Sequence, residues 1–219
     1  MLVLLIGCAE PTRARSTGPP EVAQTEPSVT VPRANAAQYH MRRHFDDVRL
    51  IEHLLIAGKL EDGTTLAYAL VREDKDPQLA GWQRVTRAAA ELTRANDLDE
   101  ALRREARVAA ECAACHIRSG SRVVFAKTLT LPEEPTMARH AWASDRLWEG
   151  VIGNDIDRWR SGLAILANSP VPGTALQTMA RDQLTVATGP PNSDARAIAY
   201  GKILIVCAGC HAKLVAKLP

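Results

Sequence analysis

Between Ala36 and about Lys59, apolar side chains fall at Met41, Phe45, Val48, Ile51 and Leu55, with His44 beside the stripe. This spacing of three and four predicts an amphipathic helix. Gly58 and Gly63 in "GKLEDG" break it, and Thr64 to about Glu73 forms a short second helix. Pro77 opens a third, which runs through "QLAGWQRVTRAAAELTRA" to about Ala95. Asp97 with Glu100 three residues on has the form of a capping box. It starts a fourth helix with Leu98, Leu102, Glu105, Ala109, Cys112 and His116 along one side.

The pattern then repeats. The string M-x-R-H begins at Met41 and again at Met137, 96 residues on, and C-x-x-C-H begins at Cys112 and again at Cys207, 95 residues on. Apolar positions match between the halves: Leu55 with Val151, Ile56 with Ile152, Leu60 with Ile156. The second half reads as helices over Thr136 to Gly150, Asp155 to Leu166, Pro172 to about Ala187, and Ser193 to Leu218. The last carries Arg196, Tyr200, Ile203, Cys207, Cys210 and Leu214 along one side. Residues 119–133 join the halves, and "RVVFAKTLTL" gives this linker a β-prone, strand-like character. Regular repetition of this kind predicts a duplicated structural unit.

Composition adds that the core is aliphatic: 46% of the 219 residues are apolar but only 4% aromatic. That profile favours helices. A formal charge of +2, from 27 basic and 25 acidic residues, gives no field that argues for nucleic acid as a partner. "MLVLLIG" is too short to span a bilayer, which takes about 20 residues, and lacks a basic leader segment. "LIGC", ending at Cys8, resembles the lipobox of bacterial lipoproteins, which implies lipidation at Cys8 after a signal remnant over 1–8. Residues 9–35, rich in Pro, Thr, Ser and charge, read as a disordered tether.

With Cys8 assigned to lipid, the other four cysteines form the pairs Cys112/Cys115 and Cys207/Cys210, each followed at once by a histidine, His116 or His211. A C-x-x-C pair serves as a redox dithiol, half of a zinc site, or a haem attachment site. Redox dithiols of the thioredoxin type follow a strand, and the flanks here are helical in period. Structural zinc usually spaces its pairs by about 15 to 20 residues. Spacing alone leaves a long-range zinc site open, though it would give the two histidines no role. On a helix, positions i, i+3 and i+4 share a face, so each Cys–Cys–His set can turn toward one ligand. The thiols would form thioethers to the porphyrin vinyls and the imidazole would take the iron. Two such motifs predict two covalent haem c groups, attached outside the cytoplasm.

An antiparallel four-helix bundle with C-x-x-C-H on its last helix resembles the class II cytochromes c, the cytochrome c′ and low-spin c-556 group. The resemblance covers residues 36–118 and 134–219. It implies an all-α chain of two tandem four-helix-bundle-like haem c units behind the disordered N-terminal tether. It also implies that the first helix faces the open side of each iron, commonly with a methionine. These units are shorter than the family's.

Met41 and His44 share a helix face, as do Met137 and His140. Family analogy favours the methionines as distal iron ligands, and ligand strength favours His44 and His140. Arg43 and Arg139 also repeat, as propionate partners or as a solvated face; His40 and His53 have no counterpart in the second half and read as surface. Trp82, Trp142, Trp148 and Trp159 read as core or haem-packing residues. The expected function is electron transfer, not catalysis, by a lipid-anchored dihaem cytochrome facing the bacterial periplasm or outer surface. Its partners would be redox proteins, including a membrane respiratory or photosynthetic complex. A haem-based gas sensor and a subunit of a larger membrane oxidoreductase are the alternatives.

Overall fold

The structure, a computed structural model, describes residues 36–73, 81–125, 130–133, 137–168, 174–186 and 193–215. The lipidation site Cys8, the remnant over 1–8 and the tether over 9–35 lie outside the described residues. All described residues belong to one unit by their contacts, and their regular structure is entirely helical. Four helices fill the first half, α1 (Ala36–Ile56), α2 (Leu60–Glu73), α3 (Trp82–Leu92) and α4 (Leu98–Ser119). Four more fill the second, α5 (Met137–Ile152), α6 (Ile156–Asn168), α7 (Thr174–Val186) and α8 (Ser193–Val215).

Local chemistry sets the boundaries. The Asp97 side chain accepts from the Glu100 N–H at 2.7 Å, and the Glu100 carboxylate accepts from the Asn96 N–H at 2.8 Å, so α4 starts with a reciprocal cap shifted by one residue. Gly120, at φ 64°, ends α4 in the left-handed conformation that glycine adopts without a Cβ clash. The α1–α2 turn has its counterpart at α5–α6. Gly58 (φ 79°) and Asn154 (φ 51°) occupy equivalent positions, and both lie in the left-handed region. The turn hydrogen bonds recur too: Lys59 N–H to Leu54 O is matched by Asp155 N–H to Gly150 O, and Gly63 N–H to Lys59 O by Trp159 N–H to Asp155 O. In the second half Asp155 also caps α6, accepting from Asp157 and Arg158 N–H at 3.0 Å. The second helix of each half therefore starts directly from this turn, in the first half at Leu60 rather than at Thr64.

Within each half, neighbouring helices pack in sequence, and the fourth closes back on the first: α1 on α2, α2 on α3, α3 on α4, α4 on α1, and likewise from α5 to α8. The halves join chiefly through α4 and α8, with α1 on α8 and α4 on α5 at the flanks. One continuous core results, holding Ile51, Leu55, Leu102, Leu147, Trp148, Trp159, Tyr200 and Ile203. Over Asp194–Lys213, α8 is long and apolar enough to cross a membrane by length and composition. Here Ala197, Tyr200, Ile203, Leu204 and Ala208 are buried inside the protein.

The strand-like expectation for the linker is not met among the described residues, since 121–125 and 130–133 take no regular structure. Phe125 packs instead on the α5–α6 junction. Its ring lies 4.9 Å from the Arg158 guanidinium and 6.2 Å from the Phe45 ring. A side chain at Gly153 would collide with that ring at 2.6 Å, so the missing Cβ is what admits it.

Candidate functional site

The first-half residues singled out in the sequence meet in one cleft. Met41, His44, Phe45 and Val48 from α1, Trp82 and Val85 from α3, Cys112, Cys115 and His116 from α4, and Ile152 from α5 line it. The cleft is open to solvent and its cavity volume is about 40 Å³, below the roughly 300 to 1,000 Å³ of a fully formed ligand site. The donor set fits haem c: two thiols and an imidazole on one face of α4, with a second imidazole opposite on α1.

The electrostatics do not favour redox cycling. Reactive dithiols have lowered thiol pKa values, commonly at helix N-termini. Here the motif lies in the last turns of its helix, and burial pushes the Cys112 thiol up to about 12, with Cys115, Glu105 and Glu111 adding to the effect. Cys207 is likewise pushed up to about 12, by burial first and then by Glu52 and Cys210. None of the four thiols is in a disulfide. Among the described residues no three His, Cys, Asp or Glu side chains converge as a metal-ion site. The two pairs therefore do not assemble the four-ligand cluster of a structural zinc.

His116 is oriented. Its Nδ1 lies 3.3 Å from the Ile152 carbonyl oxygen. A carbonyl can only accept, so Nδ1 carries the proton and Nε2 keeps its lone pair, the arrangement that presents a histidine to a metal. His44, only 6% exposed, stands with its ring 4.3 Å from the Trp82 ring. Gly81, at φ 98°, precedes α3 in the left-handed conformation, and a Cβ there would lie 3.3 Å from Arg118 Nη2 and at ordinary contact distance, 3.5 Å, from Cys115 Sγ.

At the second motif, His140 and His211 come near each other. Burial, and after it the charge of His211, hold the His140 imidazole below its usual pKa. Met137 is 50% exposed. Arg139 donates to the linker carbonyls of Pro132 (2.9 Å) and Glu133 (3.4 Å), so it holds the linker. Arg43 and His53 are exposed, and the His40 side chain lies outside the described residues.

Sequence reasoning missed the Ile152 carbonyl, a backbone atom contributed by the other half. It also missed a buried polar cluster behind the site. Glu52 accepts from Tyr200 Oη at 2.6 Å, from Ser144 Oγ at 3.4 Å and from Arg49, which also pairs with Asp145. Arg49 and Asp145 are themselves repeat-equivalent, 96 residues apart. No protein-family model, curated protein or solved structure matches this chain.

Proposed function

We propose that the protein is a dihaem c-type cytochrome that transfers single electrons, built as two class II-like four-helix units and tethered through Cys8 to a bacterial membrane, facing the periplasm or outer surface. The observation that carries this reading is the meeting of Met41, His44, Cys112, Cys115 and His116 around one cleft. When bound, haem supplies reversible one-electron chemistry at its iron. Cys112 and Cys115 would hold it by thioether bonds, as Cys207 and Cys210 would hold the second. His116 and His211 offer the proximal nitrogens, and the Ile152 carbonyl fixes the tautomer of the first.

Opposite them, His44 and His140 are favoured over Met41 and Met137. His44 is the more deeply buried of its pair, and His140 is within reach of the charge of His211 while Met137 is 50% exposed. Phe45, Val48, Trp82 and Val85 give the first cleft an apolar wall. Ligation by two imidazoles sets lower potentials than ligation by His and Met. The partners of such a carrier are redox proteins.

The test is the alkaline pyridine spectrum of the full chain matured with the haem c attachment machinery, with two haems expected per chain. Cys112→Ala with Cys115→Ala should halve that number. A protein without haem c absorbance sinks the proposal. A methionine–iron charge-transfer band in near-infrared magnetic circular dichroism would transfer the distal role to Met41 or Met137.

A further inference from the structure

Between the two motifs lies a buried carboxyl with no counterion of its own. Glu105 on α4 is 0% exposed, and neither of its oxygens has a hydrogen-bond partner among the described residues. Glu52 on α1 is equally buried, but its charge is compensated by Arg49, Tyr200 and Ser144. The remaining groups facing Glu105 are accounted for helix by helix. From α1 come Arg49 and Glu52; from α8 Tyr200; from α5 Asp145, through Arg49; and on α4 itself Cys112, two turns on. The buried side chains of α3, Trp82, Val85, Ala88, Ala89 and Leu92, and of α2, Ala67 and Leu70, are apolar. An uncompensated carboxylate here would cost several kcal/mol, so in the absence of a facing positive charge the site binds a proton. Burial first and the Glu52 charge next hold the Glu105 carboxyl well above the usual carboxylate range, against the opposing pull of Arg49.

The placement connects this proton to both attachment motifs. Glu105 and Tyr200 hold matching positions on α4 and α8, each two turns before its cysteine, Cys112 or Cys207. The charge of Glu105 is felt at Cys112 and that of Glu52 at Cys207. Such coupling is reciprocal: a charge change at either motif alters proton binding in the cluster.

Resting on the electron-carrier reading, we propose that Glu105 is a redox-linked proton site shared by the two haem positions. When a redox protein partner delivers one electron to either position, the positive charge facing the cluster falls by one and the Glu105 carboxylate takes one proton from solvent. When the electron leaves, the proton returns. The carrier would thus move electron and proton together, with no net charge buried.

The test is spectroelectrochemical titration of the haem-loaded full chain across pH. The midpoint potentials should fall as pH rises, by up to about 59 mV for each tenfold drop in proton activity, the one-electron equivalence. Glu105→Gln, which keeps the shape without the proton, should flatten that slope while leaving the haem spectrum unchanged. In the wild-type protein, the reduced-minus-oxidised infrared spectrum should show a protonated-carboxyl C=O band that shifts in deuterated water. That measurement decides the matter even if the variant does not fold. Flat potentials, a slope unchanged in Glu105→Gln, or no such band would overturn the coupling alone. Absence of haem would overturn the electron-carrier reading with it.

Discussion

Gly150 shows how much rests on one hydrogen in this fold. A Cβ at this position of α5 would lie 2.7 Å from the Trp159 nitrogen and 2.8 Å from its Cα. Backbone cannot yield as a flexible side chain can, so α5 and α6 would have to separate. Gly150→Ala should destabilise the protein by about 1 to 3 kcal/mol, the usual range for overpacking, read as a lower denaturant midpoint at unchanged slope. An unchanged midpoint would contradict the close approach. In the first half the corresponding relief lies on the other helix, where Gly63 of α2 makes room for Leu55 of α1. Matching apolar positions between the halves could not show this exchange of large and small. Glu105 was visible in the sequence as part of the α4 stripe, and its inward direction followed from the period. What faced it from α1 and α8 did not, because periodicity orients a side chain on its own helix only.

At the scale of the element, α4 is the best-specified helix. Its start is fixed by the Asp97–Glu100 cap, its end by Gly120, and its buried face by Ala101, Leu102, Ala106, Ala109 and Ala113. Asp97→Ala removes the acceptor for the Glu100 N–H and should cost about 1 kcal/mol, measurable by thermal denaturation; hydrogen exchange should quicken in the first turn of α4 and not in its last. Protection lost evenly along the helix would contradict a local role. The Asp97–Glu100 cap was legible because capping chemistry is local. The start of α2 at Leu60 was not, because the glycines of "GKLEDG" read as breakers, whereas only Gly58 takes the left-handed turn and Gly63 lies inside the helix. That turn supplies donors and acceptors that begin α2 at once. Likewise, Val123, Val124 and Phe125 have strand propensity, but among the described residues no strand edge is available to pair with, and the packing of Phe125 prevails.

At the scale of the molecule, Arg49 joins the halves, binding Glu52 beside it and Asp145 across the interface, with its guanidinium 5.5 Å from the Trp148 ring. Burial opposes its charge, but Glu52, Tyr200 and Asp145 outweigh that and hold it cationic. Arg49→Met would leave Glu52 buried without its cation and should cost about 3 to 5 kcal/mol, seen in guanidinium denaturation. A loss under about 1 kcal/mol would mean that Tyr200 and Ser144 suffice. The repeated strings marked the residues of α1 and α4 that line one cleft, Met41 and His44 with Cys112, Cys115 and His116. They could not show that α4 and α8 make the principal seam, since each half read alone offers no reason to expose an apolar side to the other. One consequence concerns time. A polypeptide is made from its N-terminus, so Cys112, Cys115 and His116 exist before Ile152 does, yet that residue's carbonyl sets which nitrogen of His116 bears the proton. A nascent chain cut after Ser119 holds every attachment residue of the first motif without the atom that aims its imidazole. On the proposed haem reading, the orientation of His116 at the first site would wait on synthesis of the chain as far as Ile152.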